Sequence, residues 1–526
     1  MSTPPAAVLA VVVLATAGSL PVVALVGLRP VSAALAPLAG AVLAALAASA
    51  CLTLGGSVVV WFVLLGLLAA AAVLVYWRSR PDAGPDWGHG PRPTDSRLDR
   101  VTPWLGAAGV TVTAVLSLSA LRAPSVGFDA RTIWLLHARW FAAGHQVALS
   151  ALQNPALPFA HASYPPLIGG TVAVSWLVTG NRSDELGVVL IALLNAFAVI
   201  AAAWSAVEVG RRCGRRVAAH HAQHGTRPRR GRLEAPAVAG IVVASLLVLV
   251  AFGVAGPFAT DGYADLLWAA CATGAIAFGL VLPGRGPELG VAAVLVAVAG
   301  LTKNEGTATA MVIVVLIAGR AARSARLTRP GAAPWRTLLA GAAALAALGG
   351  WPLLMLTLGA ARNVAVLGAR QGDPWSRARL TFDAMAGHLG VLAVAIPLAI
   401  VAGLVLGRAR RAVGVGHDGW AWAALAGGLL LVAGVYVTGA GNVAFWLATS
   451  VHRTTDFPAL CAWWIIGTWA IVGTAQGAVH LTSAGPVTVQ RAGVPAPPVA
   501  AGPVSASAAP PPALDEDHTA VLHHHP

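Results

Sequence analysis

Charged side chains are scarce in this chain: Asp, Glu, Lys and Arg make up 10% of its 526 residues, against roughly 25% in an ordinary soluble domain. With 57% hydrophobic residues and a mean hydropathy of +0.75, that scarcity excludes a soluble globular protein. Cysteine is sparse too. Cys51, Cys213, Cys271 and Cys461 lie far apart, so neither a disulfide framework nor a CxxC metal site follows. Lysine is almost missing, since Lys303 is the only one among 34 Lys and Arg. The formal charge of +14 therefore belongs to arginines in loops. No basic patch is interleaved with a foldable soluble module, which excludes nucleic acid as a partner.

What is abundant is apolar sequence. Thirteen spans are expected, at 6–28, 31–54, 57–77, 104–121, 186–210, 237–256, 262–282, 288–302, 306–319, 337–358, 388–407, 420–440 and 459–477. The first follows no basic n-region and exceeds a signal-peptide core, so it reads as a retained helix. Residues 1–100 are expected to form a three-helix membrane extension with a cytoplasmic loop, and 101–480 the main transmembrane domain. Residues 481–526, rich in Pro, Ala, Gly, Ser and Val, read as a disordered cytoplasmic tail. The fold class is an all-α polytopic membrane protein with about 13 transmembrane helices and juxtamembrane helices in one long external loop.

Sidedness follows from arginine. If Asp129 is extracytoplasmic, alternation puts Arg29 and the loops at 78–100, 211–234, 320–336 and 408–418 inside, and most arginines with them. This requires Pro165 to Gly180 to be a juxtamembrane helix lying outside, which its 16 residues and two prolines support. His220, His221 and His224 are spaced like metal ligands but sit in an Arg-rich run, expected to be a solvated loop. Arg362, Arg370, Arg377 and Arg379 with Asp373 are expected to form a solvated external loop suited to anions.

Four polar groups then share the outer face. The first, Gly127-Phe128-Asp129-Ala130-Arg131-Thr132-Ile133-Trp134, follows a span of 18 uncharged residues (104–121) and starts an interfacial helix. Ile133, Trp134, Leu136, His137, Trp140 and Phe141 share one face of it, with both tryptophans at headgroup level. Tyr164-Pro165-Pro166-Leu167 closes the same loop. The second group is Thr260 to Asp265, where a helix would put Asp261 and Asp265 on one face. The third is Thr302-Lys303-Asn304-Glu305-Gly306 between two short apolar segments, and the fourth runs from Asn442 to Pro458 through His452 and Arg453. Lys303 suits a phosphate oxygen arriving from the bilayer, or else pairs with Glu305 across a turn. Asp129 and Asp261 also fit as helix N-caps, Tyr164-Pro165-Pro166 as an extended lead into a helix, and His452 with Arg453 as a headgroup anchor.

Taken in order, Phe128-Asp129-Ala130-Arg131-Thr132-Ile133-Trp134, Tyr164-Pro165-Pro166-Leu167, Tyr263-Ala264-Asp265, Thr302-Lys303-Asn304-Glu305-Gly306 and Trp446-Leu447-Ala448-Thr449-Ser450 resemble the bacterial GT-C glycosyltransferases related to protein O-mannosyltransferases and aminoarabinose transferases. The resemblance covers about 104–477. It implies a polyprenyl-phosphate-linked sugar donor, a membrane lipid, glycan or protein acceptor, and an acidic residue of the first external loop acting on the acceptor, here Asp129. Those relatives often carry paired acids in that loop, whereas Asp129 is followed by Ala130, so the use of a divalent metal is left open. Three spans also precede the helix that normally comes first.

The residues themselves allow the same chemistry. Glycosyl transfer from a lipid phosphate needs a base at the acceptor hydroxyl and cations at the departing phosphate. Asp129 supplies the first, Lys303 and Arg453 the second, and Glu305, Asp261, Asp265, Tyr164 and His452 complete the candidate site in an extracytoplasmic face of the inner (plasma) membrane. The competing class is a secondary transporter or lipid flippase, expected to place its site at the bilayer midplane with inverted repeats. An envelope-polymer ligase or polymerase is a third reading, with its large external loop expected later in the chain.

Overall fold

The computed structural model describes residues 1–79, 97–121, 125–223, 230–282, 286–328, 335–361, 370–398, 400–401 and 419–483. Four helices precede the first candidate-site motif: α1 (Thr3–Val26), α2 (Pro30–Leu54), α3 (Val58–Arg78) and α4 (Arg97–Ala120). A π-helical turn (Ala130–Trp134) leads into α5 (Leu135–Ala143), α6 (His145–Leu152) and α7 (Leu167–Thr179). Then come α8 (Asp184–Gln223), α9 (Arg230–Ala255), α10 (Asp265–Ile276), α11 (Pro287–Thr302), α12 (Asn304–Thr328) and α13 (Trp335–Thr357). The chain finishes with α14 (Pro374–Leu389), a short α15 (Leu392–Leu398) bent 88° from it, α16 (Gly419–Thr438), α17 (Val443–Thr454) and α18 (Asp456–Ser483). Among the described residues there is no strand, only an isolated bridge between Arg370 and Gly441.

Among the described residues ten helices are long and apolar enough to cross a membrane, and the protein is an all-α polytopic membrane protein. Water drives little helix association inside a bilayer, so close backbone approach must do the work. Glycines allow it: a Cβ on Gly18 of α1 would strike the Ala36 carbonyl of α2, and one on Gly40 of α2 would strike that of Leu14. Gly170 of α7 meets α2 at the Ala44 carbonyl in the same way, and Gly210 of α8 meets Gly240 of α9. Residues Met1–Ser483 form one compact unit, with α2 packed among α1, α3, α7, α8 and α11.

The charges separate to the two ends of this bundle. At one end Glu208 of α8 pairs with Arg211 at 3.0 Å and Arg212 at 2.9 Å, and Glu288 of α11 takes Arg212 at 2.7 Å and Arg29 at 3.3 Å. Both α8 and α11 run from or to that cluster, so the far ends of these helices, Asp184 and Lys303, share the opposite end. There Thr3 donates to Glu185 at 2.7 Å and Asn181 donates to the Met1 carbonyl at 3.1 Å.

Three sequence expectations need correction here. The solvated loop expected from residue 211 is a continuation of α8 to Gln223, because Arg211 and Arg212 find carboxylates on the helix surface; His221 is buried. His224 lies outside the described residues. The tryptophans expected to face lipid headgroups, Trp134 and Trp140, are instead buried in the protein where α5 packs on α7. Its wheel is otherwise as expected, with Arg131 and Arg139 exposed. The segment at 165–180 forms α7, whose 13 residues fall short of the roughly 20 a crossing needs. It is buried from Leu167 to Trp176 rather than lying on a surface.

Candidate active site

The first motif is fixed by backbone contacts. The Gly127 amide donates to the Asp261 carbonyl at 2.9 Å, and the Ser125 amide to the Asp261 carboxylate at 3.3 Å. A side chain on Gly127 would run into the Tyr263 ring, which explains the glycine ahead of Phe128-Asp129. Asn195, buried in α8, donates to the carbonyls of Ala259 at 2.9 Å and Tyr263 at 3.3 Å and so holds the facing loop. Asp129 makes no capping bond to the turn that follows it, and its carboxylate is left for other partners.

Those partners form a chain of alternating charge. Arg453 donates to Asp129 at 2.5 Å and reaches Asp265 at 3.5 Å; Lys303 donates to Asp265 at 2.8 Å and lies 3.7 Å from Glu305. Three carboxylates and two cations thus alternate across helices that are distant in sequence. Lys303 is able to join because its backbone is extended (φ −155°, ψ 155°), which breaks α11 from α12 and turns the side chain inward. Gly306 lets α12 start tight against α11, since a Cβ there would strike the Ala299 carbonyl. Arg453 also lies 4.7 Å from the centre of the Tyr263 ring, and Lys303 5.9 Å from that of Tyr164, so both cations have an aromatic face as well.

The chain borders a cavity of about 480 Å³, lined among others by Asp129, His161, Tyr164, Tyr263, Lys303, Glu305, Trp446, Ser450 and Arg453. Its rim is apolar: Phe128, Phe159, Val435 and Phe445 line it and are also exposed on the outer surface of the protein. Tyr436 lines the cavity and bonds Ser450 at 2.8 Å and Thr454 at 2.9 Å, which fastens α16 to α17. Burial, reinforced by the Glu305 carboxylate, pushes the Tyr164 phenol well above its ordinary range, so it stays a neutral ring stacked on Trp134.

Six of the eight candidate residues meet in this arrangement: Asp129, Tyr164, Asp265, Lys303, Glu305 and Arg453. Asp261 does not line the cavity; it holds the Ser125–Gly127 backbone. It is not on a helical face with Asp265 either, because the chain turns through Gly262 (φ 83°) and α10 begins only at Asp265. His452 packs against Phe258 and His388, beside the cavity rather than on it.

Arg377 departs most from its sequence reading. It is 1% exposed, and all five guanidinium N–H groups are taken by carbonyls: Val437 at 3.0 Å, Gln371 and Gly441 at 2.8 Å, Tyr436 at 2.6 Å and Gly439 at 2.8 Å. The end of α16 leaves carbonyls unpaired, and the planar fork collects them. Asp373 caps α14, Arg379 is exposed, and Arg362 lies outside the described residues.

Sequence reasoning passed over His161, Asn195, Tyr436 and Asp456. Tyr263 stood in a quoted motif, and its place next to Asp265 was the available signal. Asp456 is buried at the start of α18, with one carboxylate oxygen unpaired. Among the described residues no group of three or more His, Cys, Asp or Glu side chains is placed to hold a metal ion. No family model, curated protein or solved structure matches this chain.

Proposed function

We propose that the protein is an integral membrane glycosyltransferase that moves a sugar from a polyprenyl-phosphate donor to a cell-envelope glycan, lipid or protein acceptor on the extracytoplasmic face of the inner (plasma) membrane. The observation that carries this reading is the cavity where Asp129, Arg453, Asp265, Lys303 and Glu305 alternate in charge beneath an apolar rim. An apolar rim suits a lipid tail, and the two cations suit its phosphate. In this reading the ten long helices are joined by the bent α14–α15 pair and the shorter α10 and α11, giving thirteen crossings. The Arg-rich end, with Arg29, Arg211 and Arg212, is then cytoplasmic, in the positive-inside sense.

The mechanism follows from the pairing. Arg453 is shared between Asp129 and Asp265, so a phosphate entering the cavity can take the place of Asp129 on the guanidinium. That exchange frees the Asp129 carboxylate while Asp265 keeps Arg453 and Lys303 together. Asp129 accepts the proton of the acceptor hydroxyl as its oxygen bonds to the anomeric carbon. The bond from that carbon to the phosphate oxygen breaks, its electron pair leaves with the phosphate, and Lys303 and Arg453 meet the negative charge that develops. Removing one charge-assisted contact costs about 1.5–3 kcal/mol, so Lys303→Met should lose donor affinity roughly tenfold to a hundredfold.

A radiolabel-transfer assay tests the class of activity. Purified protein in liposomes, given a panel of labelled polyprenyl-phosphate sugars and a membrane-glycan extract, should move label to the acceptor and release bare polyprenyl phosphate. A flippase would carry the lipid across and leave the donor intact, and that outcome would sink the transferase reading.

A further inference from the structure

The segment at 158–164 is held more firmly than a connecting loop requires. The His137 ring of α5 donates to the Ala160 carbonyl at 2.8 Å, Trp351 of α13 donates to that of Ser163 at 2.9 Å, and Asn304 of α12 donates to the Ser163 hydroxyl at 3.4 Å. Three elements from separate parts of the chain therefore grip both sides of His161. Between those grips His161 has φ 49°, the only positive φ outside glycine among the described residues. A side chain in that region is strained, and such strain persists only where the surroundings impose it, most often at functional sites.

The strained backbone points the imidazole at the cavity. His161 lines it next to Lys303 and Tyr164, with its ring centre 4.6 Å from that of Tyr164. Its Nδ1 is buried and has no hydrogen-bond partner among the described residues. Burial, then the positive charge of Lys303, brings the ring down to about 3, so it is neutral at physiological pH. A neutral imidazole offers one donor and one acceptor, both of which a hydroxyl group can use, whereas a phosphate can use only the donor.

We propose that His161 is a specificity-determining residue that hydrogen-bonds a hydroxyl of the donor's sugar, beside the phosphate held at Lys303. This rests on the polyprenyl-phosphate reading of the cavity. Glycine adopts positive φ without strain, so His161→Gly removes the ring while relaxing the backbone. Asparagine tolerates the same backbone and keeps a neutral side chain with both a donor and an acceptor.

The test measures affinity for undecaprenyl phosphate, bare and carrying mannose, glucose, galactose or arabinose, together with melting temperature. For the sugar the wild type prefers, His161→Gly should weaken binding about tenfold, the equivalent of one lost hydrogen bond. It should bind the bare lipid as the wild type does and melt at the same or a higher temperature. His161→Asn should recover part of the loss, and Lys303→Met should weaken both lipids. If His161→Gly binds sugar-bearing and bare lipid like the wild type, or weakens both equally, the sugar contact is overturned while the donor reading stands. If the wild type binds neither lipid, the donor reading falls and this inference with it.

Discussion

A cation buried near a membrane needs opposing charge or aligned dipoles, and Lys303 and Arg377 take one each. Lys303 has Asp265 and Glu305, whereas Arg377 has five carbonyls and no carboxylate among its contacts. Lysine has only three donors on a single point, so Arg377→Lys strands at least two carbonyls. The expected cost is about 3 kcal/mol, read as a lower melting temperature with the sequence of Lys303 and Asp129 untouched. An unchanged melting temperature would show that water fills the gap. The histidines set a pH limit. Burial lowers His137 from its ordinary 6.5 to about 4, against a small opposing effect of the Ala160 carbonyl. His161 is lowered to about 3. Both values lie below that of the unfolded chain, which therefore takes up protons first as pH falls. The stability from these neutral rings is complete above pH 6.5, declines below it, and is fully lost by about pH 4 for His137 and about pH 3 for His161. Melting curves should decline over that window, and His137→Gln, which keeps a donor for Ala160, should flatten the decline. A curve of the same slope in that variant would assign the loss to other groups.

At the level of elements, apolar length was legible in the sequence and contact was not. The spans at 6–28, 31–54 and 57–77 match α1, α2 and α3 within a few residues, because long uncharged runs have one way to satisfy their backbone in lipid. The extension of α8 to Gln223 was only partly legible, since Arg212 is shared between Glu208 of its own helix and Glu288 of α11. The 88° bend between α14 and α15 had no sequence signal beyond Gly390 (φ 51°). The order of the motifs carried most of the candidate site, but His161 was invisible because its grip comes from residues 137, 304 and 351. Gly306 shows how an element serves the site. In Gly306→Ala the added methyl meets the Ala299 carbonyl and the Trp268 side chain, so α12 must shift away from α11 and carry Lys303 off Asp265. Overpacking of this kind costs about 1–3 kcal/mol. Both melting temperature and sugar transfer should fall, and a variant that retains both would mean the two helices part without moving the lysine.

Across the whole molecule, the sorting of charge to two ends is what gives the protein a direction. One end carries Arg29, Arg211, Arg212, Glu208 and Glu288 in salt bridges that tie the start of α2 to α8 and α11; the other carries the alternating chain and the cavity. In the proposed reaction the lipid donor enters this cavity from the side and the acceptor from the water above it. The central claim is that Asp129 does proton chemistry there rather than structural work, and Asp129→Asn tests it most directly. The amide keeps the shape of the carboxylate but takes no proton at neutral pH. Single-turnover transfer from the preferred polyprenyl-phosphate sugar, measured with purified protein in liposomes, should be abolished in Asp129→Asn while donor affinity is kept or tightened, since the phosphate no longer competes with a carboxylate for Arg453. Transfer at the wild-type rate by a correctly folded Asp129→Asn protein would contradict the account.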